Sequence, residues 1–238
     1  MGTRVRKLGR PRPGARLLDI GCGRGDFILA ARRRGWDVVG VEQSQNPVMD
    51  MRAQLALTVL TPEALAETPD ASFDAVTLWH VLEHLPEPRT QLAQIHRLLR
   101  PGGQLVIEVP NYGGWHGRFG RAAWHHLDVP RHLLHFDRTS LGRLLSVSGF
   151  EEVRWETLSI EYDIFGFVQT VLNRICTQQN HLHQRLIGQR SAGNRADTVK
   201  SFTLLAPLAA VAGVTSLVAG AAGEGGVLRV VARKTSTA

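Results

Sequence analysis

The sequence predicts a doubly wound α/β fold, a seven-stranded and mostly parallel sheet with helices on its faces. Three observations lead there. Short apolar runs alternate with helix-length segments along the chain. The first run, Leu17-Leu18-Asp19-Ile20, ends in the glycine turn Gly21-Cys22-Gly23-Arg24-Gly25. The second, Asp37–Val41, ends on an acidic residue, Glu42, 21 positions after Gly21. At 238 residues, 43% of them hydrophobic, the chain can bury a core. Collagen, a disulfide scaffold and a fully disordered chain are excluded.

The first strand covers residues 17–20, where a short apolar run meets glycines. Asp26 is placed to cap or charge-stabilise the helix that follows, and Gly35 can end it. A second strand at 37–41 precedes a helix-like stretch from Asn46-Pro47. Leu57–Leu60 reads as a third strand and Phe73–Trp79 as a fourth, with a helix near 87–99 behind it. Pro101-Gly102-Gly103 breaks the chain before a fifth strand, Gln104–Val109, that Pro110 stops. Residues 139–148 form an amphipathic helix ended by Gly149. A sixth strand lies at about 150–157, and a last one, 226–232, follows nearly seventy residues later.

The chain carries 28 basic and 21 acidic residues, a net +7. Six of the basic groups and no acid lie in residues 1–16, and five against Asp197 in residues 174–200. The remainder is mildly acidic. The organisation expected is a basic N-terminal arm at 1–16, an α/β domain at 17–157 with a covering loop at 111–140, an apolar and basic helical insertion at 158–225, and a last strand with its tail at 226–238. The arm runs directly into the first strand, unlike a secretory signal. Cys22 and Cys176, the two cysteines, suit a reducing compartment.

A strand, a glycine turn and a helix place backbone N–H groups and a positive helix end beside a ligand. A carboxylate closing the neighbouring strand can accept both hydroxyls of a ribose. This geometry predicts a nucleoside-containing ligand. The loop reads G-x-G-x-G with Asp19 two residues ahead, and departs from the dinucleotide fingerprint G-x-G-x-x-G.

Four segments in order carry a family resemblance. Leu17–Gly25 resembles the first motif of class I S-adenosylmethionine (SAM)-dependent methyltransferases, and Val41-Glu42-Gln43-Ser44 their second-strand motif. Phe73–Val76 with Val81-Leu82-Glu83-His84-Leu85 is similar to their fourth-strand region, and Leu98–Gly103 to the lead into their fifth strand. Trp124–His132 resembles a subgroup associated with quinone, lipid or cell-envelope sugar methylation. The resemblance implies the seven-stranded methyltransferase sheet and SAM as cofactor. It implies that Gly21, Cys22, Gly23 and Gly25 line the loop against the methionine part of SAM, with Asp19 beneath them helping to hold the amino group. Glu42 would bind the ribose, Gln43 would flank the adenine, and Trp79 and His80 would face the methionine moiety. The acidic residue that the family often places after the third strand is absent: Leu60-Thr61-Pro62-Glu63 stands there, so Thr61, Glu63 or a backbone group is left for the adenine.

An oxygen nucleophile must lose a proton, which a base with pKa near 7 accepts well. Among ten histidines, His84 at the mouth of the fourth strand is the candidate base, while His80 is expected to pack against SAM. Tyr112, Trp124, Asp128, Arg131 and His132 are the acceptor-site candidates. Tyr112 reads equally as a core contact, and Asp128 with Arg131 equally as a structural ion pair. Cys22 reads as a small residue in a tight turn. The loop histidines lack a clean metal-ligand spacing, so no metal is expected.

Phe202–Ala222 is 21 residues without a charge, a spanning length. One full crossing would strand the last strand on the wrong side of a bilayer. A surface-lying insertion is the leading expectation, beside an apolar lid on the domain or a second subunit, or a transmembrane pair. An anionic membrane surface is thus an expected partner, and the expected location is cytoplasmic, peripheral on the inner membrane face. The arm has no aromatic residue for base stacking, which argues against nucleic acid.

The leading reading is a SAM-dependent methyltransferase acting on a hydroxyl of a small lipid-, quinone- or sugar-like acceptor. The alternatives are a non-catalytic SAM-fold assembly module on a membrane, an RNA methyltransferase, and an NAD-dependent oxidoreductase. The oligomeric state is left open.

Overall fold

The structure, a computed structural model, describes residues 2–43, 55–189 and 193–235. Seven strands form one mostly parallel sheet in the order β3-β2-β1-β4-β5-β7-β6. They are β1 (Arg16–Ile20), β2 (Asp37–Val41), β3 (Thr58–Leu60), β4 (Phe73–Trp79), β5 (Leu99–Pro110), β6 (Phe150–Glu156) and β7 (Val227–Lys234). The pairs β1–β2, β1–β4, β2–β3 and β4–β5 are parallel. Such strands are covered on both faces and so read as continuous apolar runs; Leu17, Leu18, Ala75, Val76 and Leu78 are accordingly buried. The strand order reverses direction between β1 and β4, the switch point outside whose carboxyl ends this class of sheet binds ligands.

The described helices are α1 (Gly2–Lys7), α2 (Asp26–Arg32), α3 (Pro62–Ala66), α4 (Pro88–Leu98), α5 (Trp115–Gly120), α6 (Arg138–Val147), α7 (Ile160–Ile175), α8 (His181–Leu186) and α9 (Arg195–Ala221). The helix expected from Asn46 lies outside the described residues. Gly25, in the left-handed conformation, is the N-cap of α2, so Asp26 supplies first-turn charge and not the cap. The Pro101-Gly102-Gly103 breaker falls inside β5, because β5 starts at Leu99 opposite Phe73 and absorbs the triplet as a register shift.

The chain divides into two compact units. The first comprises Met1–Glu108, Gly142–Trp155 and Val230–Ala238; the second, Val109–Leu141 and Glu156–Arg229. This division differs from the sequence expectation twice. Residues expected to form a basic arm belong to the first unit, because Val5 and Leu8 of that segment join the buried cluster of Leu17, Phe27 and Trp36. Three of its six cations form ion pairs there: Arg4 with Glu108, Arg12 with Asp74, and Arg16 with Asp37. In the second unit the loop at 111–140 folds with the helical insertion. Asn111 bridges to Phe136, and its side-chain amide donates to the Gly225 carbonyl over 2.8 Å.

Candidate SAM site

The carboxyl ends of β1, β2 and β4 assemble the first unit's site. Glycine is required at position 21: its φ is +71°, and a Cβ there would collide with Val81 Cγ2. Its N–H and that of Cys22 both donate to the Val41 carbonyl, at 2.8 and 3.0 Å, tying the loop to β2. Cys22 tucks its sulfur where a side chain on Gly40 would be, 2.6 Å from a Cβ built there. Burial, with Asp19 and Glu42 nearby, pushes the Cys22 thiol up to about 12, so it is inert packing. Gly23 faces open space.

Asp19 is buried beneath this loop, opposite Thr77 in the β1–β4 register. Its Oδ1 accepts a 2.5 Å hydrogen bond from Thr77 Oγ1. Burial raises its pKa to about 7 against the lowering effects of Thr77 and Arg4, while Glu42 adds to the rise. Glu42, just past β2, accepts a 2.9 Å hydrogen bond from the Gly23 N–H, and so already lies against the loop. Gln43 follows it, exposed. Thr61 stands beyond the neighbouring end of β3, where its hydroxyl accepts from Ala64 N–H at 3.3 Å and caps α3.

A charged cluster lies at the end of β4. Trp79 is packed against Phe27, and the Arg4 guanidinium lies over its ring at 5.0 Å from the centroid. Arg4 also reaches Glu108 Oε1 at 2.7 Å, which His80 Nε2 approaches at 3.0 Å. His80 Nδ1 is 3.4 Å from Glu83. Burial would lower the His80 pKa, but hydrogen bonds and charge from Glu108 and Glu83 outweigh it and hold the pKa above the ordinary value. The φ of His80 is +57°, a strained backbone for a non-glycine residue and one found most often at functional sites. His84 closes the short 3-10 turn Leu82–His84.

Sequence reasoning missed Arg4, Thr77 and Glu108 as members of this site. Arg4 falls in the segment read as a basic N-terminal arm. Its one sequence signal is that it precedes a strand beginning 12 residues later, close enough for the chain to fold back.

The acceptor-site candidates all lie in the second unit. Half-exposed Tyr112 meets buried Trp124 (5.9 Å between ring centroids) and His135 (5.7 Å). His132 Nδ1–H donates to the His126 carbonyl at 2.7 Å. Arg131 is 3.4 Å from Asp128 in an exposed i,i+3 pair, a geometry that contributes little stability. A cleft of about 460 Å³ here is lined by Tyr112, Gly117, Arg118, Arg121, Ala122 and Leu127. Beside it His125, held by Asn180 at 2.8 Å, is driven down to about 4 by burial and stays neutral.

A family model described as a methyltransferase domain matches residues 1–154. The chain belongs to this methyltransferase family. Over 105 residues it is 34% identical to the ubiquinone biosynthesis O-methyltransferase of Alkalilimnicola ehrlichii, and 37% identical to that of Pseudomonas aeruginosa. Those matches cover 41% of this chain and 42% and 45% of the two relatives, so the chain spans less than half the length of either. A SAM-dependent methyltransferase from Archaeoglobus fulgidus has the same fold at TM-score 0.61 and 19% identity, with 98% of this chain and 92% of that one covered. Phosphoethanolamine N-methyltransferase 2 of Haemonchus contortus, solved with SAM, matches at TM-score 0.61 and 17% identity over 99% and 52%.

The first unit's donor set fits SAM. The loop leaves open space over Gly23, Glu42 offers a carboxylate for the ribose diol, and Asp19 and Arg4 offer opposite charges for the amino and carboxylate groups of the methionine end. When bound, SAM supplies a methyl group on an already activated sulfonium leaving group.

Proposed function

We propose that this methyltransferase methylates a hydroxyl of a small lipid-, quinone- or sugar-like acceptor. The observation that carries the reading is the identity to ubiquinone biosynthesis O-methyltransferases over 105 residues. The half-exposed Tyr112, backed by Trp124 and His135, is a suitable surface for a ring-bearing acceptor.

In this reading Gly21, Cys22, Gly23 and Gly25 cradle the methionine portion of SAM. Asp19 holds its amino group and Arg4 its carboxylate. Glu42 takes the ribose, Gln43 and Thr61 border the adenine, and Trp79 with His80 flank the methionine chain. Tyr112, Trp124, Asp128, Arg131 and His132 hold the acceptor. His84 receives the acceptor's hydroxyl proton, and the remaining residues contribute by alignment, the larger part of catalysis for so activated a methyl group. The site of action proposed is the cytoplasm and its membrane face.

The test is transfer of labelled methyl from SAM to a polyprenylated catechol, with a sugar and an amine as comparison acceptors. Label is expected in the catechol ether, and His84→Ala should slow transfer about a hundredfold with SAM affinity unchanged. A protein that binds SAM yet labels no hydroxyl acceptor would overturn the reading. One that binds no SAM would instead be a non-catalytic module.

A further inference from the structure

Helix α9 is apolar on both of its faces over residues 202–222: Leu204, Leu205, Leu208 and Ala212 pack against α7. The inward face of α9 carries Asp197, Ser201, Ala212, Ser216 and Ala219, all buried. Its outward face presents Phe202, Val211, Val214, Leu217 and Val218, each more than half exposed. A helix on a water-facing surface carries polar residues on its outer side. No charge interrupts residues 202–222, an apolar strip about 30 Å long at 1.5 Å per residue. The outward hydroxyls are satisfied within the helix: Thr203 Oγ1 donates to the Val199 carbonyl at 2.8 Å and Thr215 Oγ1 to that of Val211 at 3.0 Å. The strip therefore offers little to water.

Charge complementarity identifies what covers it. Beside the amino-terminal part of α9, exposed Ile175, Leu186 and Ile187 are interspersed with exposed Arg174, Arg185 and Arg195. Lys200 is held there by the Ile175 carbonyl at 2.8 Å, and Arg185 by Thr198 Oγ1 at 3.1 Å. The one acid of residues 174–200, Asp197, is buried and accepts hydrogen bonds from Thr177 and Gln178, and it offsets one of the segment's five cations. Apolar side chains edged by cations of one sign match acyl chains beneath anionic headgroups. A second copy would meet the same cations with nothing to neutralise them.

We propose that the outward face of α9, with the basic end of α7 and α8, seats the chain side-on at a bilayer surface containing anionic phospholipid. A spanning arrangement does not fit. The inward face of α9 is committed to Phe167, Val168 and Leu172 of α7, and the insertion leaves the sheet after β6 and returns to it at β7, so a single crossing cannot close. This docking face does not depend on the acceptor or on methyl transfer.

The test is flotation of the full chain with phosphatidylcholine vesicles, with and without phosphatidylglycerol, at low and high salt. Binding is expected with phosphatidylglycerol, weakened several-fold by high salt. The Val214→Lys/Leu217→Lys double variant should lose at least ten-fold in bound fraction while binding SAM as the wild type does. Arg195→Glu should weaken binding to the anionic vesicles alone. No flotation at either salt overturns the proposal, as does undiminished flotation of the double variant. A wild-type dimer that the double variant breaks, without vesicle binding, would assign the face to a second copy.

Discussion

Arg4 and Glu108, 104 residues apart in sequence, form a 2.7 Å ion pair in which the carboxylate is fully buried. The pair sits over Trp79 and against His80, at the end of the strand where the methionine portion of SAM is expected. Removing one partner of a buried pair is costly because the other charge remains. Arg4→Ala should therefore lower unfolding stability by about 3 kcal/mol in urea titrations and weaken SAM about tenfold or more through the lost carboxylate contact. Arg4→Lys should recover most of the stability and less of the affinity, since one ammonium cannot reproduce a two-pronged guanidinium.

Asp19 makes the protein's stability depend on pH. The native carboxyl keeps its proton up to about 7, whereas the unfolded chain releases it near the ordinary 3.8. Between those values the native state binds more protons, so stability falls as pH rises, by on the order of 4 kcal/mol in total. His80 acts in the same direction at higher pH: its raised pKa contributes stability below the unfolded value that is lost as pH climbs through the folded one. Thermal midpoints measured from about pH 5 to pH 8 should decline, and Asp19→Asn should flatten the lower part of the decline. Because a bound amino group favours the ionised carboxyl, SAM binding near pH 6 should release a proton, detectable by calorimetry in buffers of different ionisation heat.

The loop tolerates no side chain at position 21. Gly21→Ala should abolish SAM binding and reduce stability, through the clash with Val81 and the left-handed backbone. Gly40→Ala should be destabilising because its Cβ meets Cys22 Sγ, and Cys22→Ala should partly relieve it. A double-mutant cycle in denaturant reads the coupling.

Cys22 should resist alkylation in the folded protein at neutral pH and react once the protein unfolds. Burial and the two neighbouring carboxylates hold its thiol at about 12. Mass mapping after brief iodoacetamide treatment checks this. Rapid native labelling of Cys22 would show that the loop is not packed as described.

The parts of the fold and site that were legible in sequence depend on short-range patterns. The strand, the glycine turn and Glu42 lie within 26 residues, and their backbone geometry follows from residue type at each step. The role of Arg4 depends on a partner 104 residues away, which no local pattern reveals, so its charge read as part of a basic arm. The same holds for Arg12 and Arg16, which meet Asp74 and Asp37. Thr61 shows the opposite limit: its spacing before Pro62 signals a helix cap as clearly as an adenine contact, and in the structure it caps α3.

Glu42, already bonded to the loop through Gly23 N–H, is the proposed ribose-binding carboxylate of the SAM site. Isothermal titration of SAM into the wild type and Glu42→Ala, with circular dichroism to confirm equal folding, tests it most directly. A SAM complex is expected for the wild type and a loss of about ten- to a hundredfold in the variant, the worth of hydrogen bonds to a charged group. Equal affinity in two equally folded proteins would contradict it.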